Sequence, residues 1–354
     1  MPGRDEGPAL PLDWTQTPEE DLWFLPGPDA EEDDPPPGAP PLPHAPHARL
    51  LDPADWRRAQ NALSDDLARL TQVFGELDAR LRGGHDGLRQ RLAQREAADL
   101  SWWSGDRLSL DRLGLWSVLR IGSTEDTEQA LARAGWVVRR LNGGPAPAEG
   151  MTAFLERPDD GAGEGETDLG PDSGALTDLT ALLTECCELH PVTQSAILFQ
   201  AWRLLGAPAS RDMEAAVLAA RHAASMSRRP GQGAMFLPLI MSGAGALRGQ
   251  GDPEEKLKAW ISGAERATLA ALLHLDSVTD WKQKARRAVA DLSGRTPARL
   301  IDVLATWPLV SAPLAEAETG ASRAAVQRNL ERLAARGLIR EMTGQGRYRI
   351  WCIC

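Results

Sequence analysis

The side chains best suited to chemistry in this sequence are hydrogen-bond donors near its C-terminal end. Ser322, Arg323, Gln327, Arg328 and Arg332 fall within one short stretch. An arginine guanidinium presents a planar fork of donors that matches phosphate oxygens and the edge of guanine, and a glutamine amide matches the edge of adenine. This density of donors indicates an anionic ligand, and duplex DNA is the ligand that fits them.

The donors lie on one face of a predicted helix. Val326, Leu330 and Leu333 recur at spacings of four and three, so they share the buried face. The arginines and Gln327 then point to solvent. Ser322 is expected to cap the N-terminus of the helix, where unpaired backbone N–H groups attract phosphate.

The elements around this helix follow the order of a winged helix-turn-helix over residues 295–354. Thr296 is expected to cap a first helix with Pro297 at its first position, and Ser311 caps a second, short helix. Gly320 allows the sharp turn before the third helix. Two strand-like runs around residues 344–346 predict a β-hairpin, the wing. The wing carries a second group of donors: Gln345, Arg347 and Arg349.

The run from Ala321 to Leu333 resembles the recognition helices of bacterial transcription regulators that contain winged helices. The resemblance covers only this end of the chain. It implies that the following donors contact DNA: Ser322, Arg323, Gln327 and Arg328, with Arg347 and Arg349 on the wing. Winged helices also serve as protein-interaction modules, and that alternative stays open.

Charge is unevenly distributed along the chain. The 354 residues carry a formal net charge of −11, which taken alone argues against a nucleic-acid partner. Residues 1–55 hold 13 acidic residues against two arginines, and residues 145–180 hold nine against one. Residues 295–354 hold nine arginines against five acidic residues, so the predicted winged helix is locally basic, which favours phosphate binding.

Composition divides the rest of the chain into four regions. Residues 1–52 form an acidic, proline-rich tail that is predicted to be disordered. Residues 53–141 and 176–294 are two helical regions, and an acidic linker rich in glycine and proline separates them at residues 142–175. We therefore expect a mainly α fold, with a helical body followed by a C-terminal winged helix-turn-helix and its small β-hairpin.

Three finer predictions concern the helical body. Two helices, Pro253–Leu275 and Val278–Leu292, are expected at its end. Residues 227–251 contain a basic pair among glycines but no P-loop pattern, so they are expected to form a mobile loop rather than an anion site. Four tryptophans are expected to anchor the core: Trp102, Trp103, Trp116 and Trp136.

Nothing in the sequence predicts catalysis, a cofactor or a metal site. The histidines are scattered, and the spacing of the four cysteines favours reduced thiols. No apolar run is long enough to cross a bilayer, and no secretory signal is readable. We expect a cytoplasmic protein that is not an enzyme and has no membrane partner.

Two wider resemblances concern the body. Arg95–Trp103 and the ending Arg340–Trp351 are similar to an uncharacterised bacterial family, often plasmid-borne, that joins a helical domain of unknown function to a helix-turn-helix. His190–Leu198 resembles the helix that bears the catalytic motif of Fic-type adenylyltransferases, but the glycine-rich part of that motif does not follow. The second resemblance implies a scaffold without transferase chemistry.

These observations predict a DNA-binding transcriptional regulator that reads duplex DNA through its winged helix as a homodimer. Trp14, Trp23 and Phe24 in the acidic tail either bind a protein partner or fold back on the body. The alternatives are a protein-interaction or assembly factor in plasmid maintenance or chromosome organisation, and a catalytically inactive Fic-like scaffold.

Overall fold

The computed structural model describes residues 51–119, 125–155, 173–204, 211–344 and 348–354. Almost all of the predicted acidic tail therefore lies outside the described residues. The helices of the body are α1 (Pro53–Ala62), α2 (Ser64–Arg82), α3 (Asp86–Trp103), α4 (Leu110–Leu119), α5 (Glu125–Asn142), α6 (Met151–Leu155), α7 (Ser173–Glu185), α8 (Pro191–Leu204), α9 (Asp212–Ala223) and α10 (Pro253–Ala288).

Local capping determines where several of these helices begin. The Asp52 carboxylate accepts a hydrogen bond from the Ala54 N–H at 2.8 Å, before proline at the first position of α1. Helix α10 begins with a reciprocal box, in which the Asp252 side chain accepts from the Glu255 N–H at 2.9 Å and the Glu255 side chain accepts from the Asp252 N–H at 3.2 Å. The cap of α1 and the box of α10 both satisfy N–H groups that the first turn of a helix leaves unpaired.

Both helical regions of the sequence contribute to one hydrophobic core. Phe74 from α2 and Phe199 from α8 are buried in it, and the Phe199 ring centroid lies 5.4 Å from that of Trp260. Part of the predicted linker also packs there, because Phe154 on α6 is completely buried. The two regions are thus parts of a single helical body.

The prediction that four tryptophans anchor the core is wrong for Trp102. Trp103, Trp116 and Trp136 are partly buried and pack against the core, but Trp102 is 57% exposed. Trp102 lies in the last turn of α3, and its indole N–H donates to the Leu108 carbonyl at 3.0 Å. The ring therefore covers the turn that follows the helix instead of entering the core.

Residues 227–251, predicted to be a mobile loop, are fixed to the body by two buried acidic side chains. Asp78 accepts from the Ser227 hydroxyl at 2.8 Å and from the Ala234 N–H at 2.9 Å. Glu96 accepts from the N–H groups of Leu239 and Ile240 at 2.7 and 3.1 Å. Since these backbone groups have buried partners, the prediction of mobility does not fit the packing.

The prediction of two helices around residue 276 is also wrong, because α10 is one helix of 36 residues. Asp276 and Ser277, which separate the two predicted helices, are residue types that are common at helix N-caps. The Ser277 hydroxyl instead donates to the His274 carbonyl at 2.7 Å, inside the helix. Leu275 and Val278 keep the helical spacing of buried residues across this point, so burial overrides the capping signal.

The C-terminal part of the chain has its own core around Leu300, Leu304, Leu330 and Trp351, and the end of α10 also reaches it. Its elements are α11 (Thr296–Thr306), β1 (Val310–Ser311), α12 (Ala312–Thr319), α13 (Arg323–Ala335), β2 (Ile339–Glu341) and β3 (Ile350–Ile353). The sheet is antiparallel with the order β1, β3, β2. The mainly α body with a C-terminal winged helix-turn-helix is confirmed, although β1 adds a third strand to the predicted hairpin.

Candidate nucleic-acid interface

The helix-turn-helix holds α13 by its apolar face. Val326, Leu330 and Leu333 are completely buried, as their spacing predicted. Gly320 turns the chain between α12 and α13 with a φ of +64°, a left-handed conformation that side chains with a Cβ disfavour. The Ser311 hydroxyl accepts from the Leu314 N–H at 3.3 Å and caps α12. The orientation of α13 is thus set by its neighbours on the inner side.

The opposite face of α13 is open to solvent. Its exposed and half-buried residues are Ser322, Arg323, Ala324, Gln327, Arg328, Glu331 and Arg332. These include every predicted DNA-contacting residue of the first group. Within the part of the chain that the structure describes, Arg328 and Arg332 form no ion pair. Their guanidinium groups are available to an external anion.

The N-terminus of α13 differs from the prediction in one respect. Ser322 occupies the N-cap position, but its hydroxyl makes no capping hydrogen bond. The predicted side-chain cap is therefore absent. The hydroxyl and the first N–H groups of this 13-residue helix all remain available at the surface, where the helix dipole favours an anion such as phosphate.

Weak contacts with acidic residues position part of this face. The Arg323 Nε lies 3.9 Å from Glu316 Oε1, and the Arg323 side chain is still 80% exposed. Glu331 Oε1 lies 3.4 Å from the Gln327 Nε2 and 3.6 Å from the Arg349 Nη1. Surface contacts of this length contribute little to stability, so they do not fix these side chains in one arrangement.

Glu331 is a candidate contact residue that the sequence reasoning left out of the site. It lies on the outward face of α13, one turn after Gln327 and between two predicted donors. A carboxylate accepts a hydrogen bond from the amino group of cytosine, so it selects bases and repels phosphate. The helical spacing places Glu331 on the outward face, but its negative charge sets it apart from the cations expected to contact phosphate.

The base of the wing is fixed by hydrogen bonds that follow β2. The Glu341 side chain accepts from the N–H groups of Thr343 and Gly344 at 2.8 and 3.0 Å, which turns the chain after β2. Gln345 and Arg347 lie outside the described residues. Arg349 lies at the base, where its guanidinium stacks 5.1 Å from the centroid of the Trp351 ring.

The body contacts the winged helix on sides other than the outer face of α13. The buried Arg91 side chain donates from Nη2 to the carbonyls of Leu304 at 3.0 Å and Trp307 at 2.6 Å, with Ala305 at 3.4 Å. Burial lowers the pKa of Arg91 to about 10, so it remains a cation at the C-terminal end of α11. The negative end of the helix dipole favours a cation there.

Two further contacts hold the winged helix to the body. The Trp281 indole N–H donates to the Leu338 carbonyl at 2.9 Å, and Arg340 pairs with Asp111 at 2.7 Å. Trp281 belongs to α10 and Asp111 to α4. The outer face of α13 is therefore carried on a fixed support.

The described residues also bear on metal, disulfide and membrane-spanning sites. No group of three or more His, Cys, Asp or Glu side chains there is placed to hold a metal ion. All four cysteines are free thiols. None of the helices that the structure describes combines the length and the apolar character needed to span a membrane.

Comparison with known proteins agrees with this geometry. Residues 297–354 match a family model described as an HTH DNA binding domain. No curated protein matches the chain. The matched segment begins in α11 and includes α13 and the wing, so the chain is a DNA-binding protein with DNA as its partner. The resemblances of the body to the uncharacterised family and to Fic-type proteins stay predictions.

Proposed function

We propose that this DNA-binding protein is a transcriptional regulator that reads a specific duplex sequence, with α13 in the major groove and the wing on the adjacent backbone. The observation that carries the proposal is the open outer face of α13. Arg328 and Arg332 are exposed there without an ion pair to any described residue. Two free guanidinium groups one turn apart supply both base readout and phosphate contacts.

The mixture of residue types on this face supports specific rather than general binding. A surface that only neutralises phosphate needs cations alone. Here Gln327 and Glu331 accompany the arginines, and they match adenine and cytosine edges respectively. Ser322 and the N-terminus of α13 supply phosphate contacts that set the register.

We also propose that two copies act together. One winged helix buries limited surface and contacts few base pairs, whereas two copies on neighbouring half-sites add their contacts. The body is the part of the chain available for pairing, because the outer face of α13 is occupied by DNA in this arrangement.

The test is DNA binding by a variant of the outer face and by a control with the same charge change. The cognate duplex is first selected from a randomised pool with the full chain. Arg328→Ala with Arg332→Ala removes two contacts of about 1–3 kcal/mol each, so affinity falls at least about 30-fold. Arg228→Ala with Arg229→Ala removes two exposed arginines of the body and leaves affinity unchanged.

Two results are decisive against the proposal. Equal binding by the two double variants means that α13 does not read the duplex and favours protein docking by this face. If the selection returns no sequence preference, the protein binds DNA in general and is not a sequence-specific regulator. A transcript comparison with and without the α13 variant then shows whether genes beside the selected sequence respond.

A further inference from the structure

The outward face of α10 exposes two leucines that the body leaves uncovered. Only four large hydrophobic side chains are strongly exposed in the described residues: Trp102, Leu269, Leu273 and Tyr348. Leu269 is 43% exposed and Leu273 is 67% exposed. These two lie one turn apart on the same helix, so they form a single apolar patch. Contiguous exposed apolar patches occur at sites of protein interaction.

Charged residues flank the patch in a definite order. Arg266 is exposed on the N-terminal side of the leucines, and Asp276 and Asp280 are exposed on the C-terminal side. The spacings of three and four residues place all of them in one stripe along α10. The stripe therefore has a cationic end, an apolar centre and an anionic end.

This order is complementary to itself when the direction is reversed. Positions 266 and 276 have the same midpoint as positions 269 and 273. If a second α10 lies antiparallel across the first, Leu269 meets the partner's Leu273, and Arg266 meets the partner's Asp276. A twofold axis requires such a match of a surface with its own copy. The stripe meets this requirement with both its apolar and its charged residues.

We propose that this face of α10 is the interface between two copies of the chain, paired antiparallel about an axis near residue 271. The inference rests on the proposal that two copies act together on DNA, and it names the surface through which they do so. Two leucines from each copy form the centre of the contact. Two symmetric Arg266 to Asp276 pairs enclose it.

The neighbouring groups are compatible with this pairing. Asp276 already lies 2.8 Å from Arg80 on α2, and a carboxylate has enough acceptor sites for a second guanidinium. Lys258 and Lys284 lie equally far from the axis, so each meets its opposite number in a straight antiparallel pair. Their repulsion favours helices that cross at an angle, with contact confined to the central turns.

An interface limited to the central turns is smaller than the roughly 1,200–2,000 Å² of a standard stable complex. We therefore expect reversible association with a dissociation constant in the micromolar range, about 1–100 μM. Binding of both copies to neighbouring half-sites then stabilises the pair, because DNA raises their local concentration.

The first experiment is sedimentation velocity of the full chain without DNA, over about 1–100 μM protein. The wild type shifts from monomer to dimer with concentration. Leu269→Ala with Leu273→Ala raises the dissociation constant at least about 100-fold, because four leucine side chains leave the interface. Trp102→Ala, the matched control, removes an exposed apolar side chain elsewhere and changes nothing. Circular dichroism confirms that every variant is helical.

The second experiment tests the register. Arg266→Asp and Asp276→Arg each place like charges opposite one another, and each weakens the dimer about tenfold. The variant with both changes restores association to within about threefold of the wild type. Asp276→Arg also separates residue 276 from Arg80 within the chain, and this loss is the same in the double variant. Recovery therefore reports the contact between copies.

Three results overturn the interface. They are a wild type that stays monomeric over the whole range, a leucine variant that still dimerises, and a charge-swapped variant that does not recover. None of them affects DNA binding by α13 at a single half-site. Conversely, loss of sequence preference with dimerisation intact overturns the proposed function and leaves this interface in place.

Discussion

Replacement of Arg91 by methionine tests whether the body holds the winged helix through one buried cation. Methionine keeps the unbranched shape of the side chain and removes its donors. In the wild type, the Arg91 Nη2 bonds the carbonyls of Leu304 at 3.0 Å and Trp307 at 2.6 Å, at the end of α11. The variant leaves these two carbonyls without their donor.

The expected loss of stability follows from those contacts. A hydrogen bond from a charged donor contributes about 1.5–3 kcal/mol, so the two short bonds sum to about 3–6 kcal/mol. The contact with Ala305 at 3.4 Å is at the limit of a hydrogen bond and adds little. Methionine also avoids the cost of burying a guanidinium. The free energy of unfolding therefore falls by about 2–4 kcal/mol.

Chemical denaturation measures this loss, and hydrogen exchange localises it. The last turn of α11 loses protection first, including the Trp307 N–H that bonds to the Val303 carbonyl. DNA affinity changes little, since α13 is held by a separate core. Arg91→Lys keeps the positive charge but not the planar fork of donors, so its stability lies between those of the wild type and Arg91→Met. A loss below about 0.5 kcal/mol, a level typical of surface substitutions, would refute the role of Arg91 as an anchor.

Three further predictions concern single side chains. Burial raises the pKa of Glu96 to about 8, so the folded chain keeps a proton that the unfolded chain releases near pH 4.5, and stability decreases as pH rises between those values. The melting temperature of Glu96→Gln, measured relative to that of the wild type, therefore rises from pH 5 to pH 8. A difference that stays constant with pH contradicts this reasoning. Glu331→Gln changes the binding preference for the base at one position of the selected sequence by about 1–3 kcal/mol. If the variant selects the same sequence as the wild type, Glu331 does not contact a base. Arg349→Ala lowers the slope of log affinity against log salt by about 0.9, and an unchanged slope means that Arg349 does not contact phosphate.

The winged helix was predictable because its signals are local. Proline after Thr296, the cap at Ser311 and glycine at position 320 each mark an element boundary through the backbone of a few residues. The spacing of Val326, Leu330 and Leu333 indicated which side of α13 faces solvent. The third strand was missed, because Val310 and Ser311 pair with β3 over two residues and leave no periodic pattern.

The arrangement of the body was not predictable in the same way. Asp78 and Glu96 fix residues that lie far away in sequence, and no local pattern reports such a contact. Asp276 and Ser277 have the chemistry of a helix cap and of an exposed helical turn alike. The burial of the neighbouring Leu275 and Val278 determines that the helix continues instead of ending. The patch of Leu269 and Leu273 became visible only when the covered side of α10 was known.

The unbroken course of α10 has a consequence for the DNA sites that this protein recognises. A helix of 36 residues is about 54 Å long, and its far end enters the core that carries α13. Along the described chain from α10 to α13, no flexible tether then adjusts the distance between two copies paired as proposed. Under that proposal, we expect both copies to bind DNA sites with a spacer of the matching helical phase, whereas adding half a turn of DNA to the spacer would place the second half-site on the wrong side of the duplex.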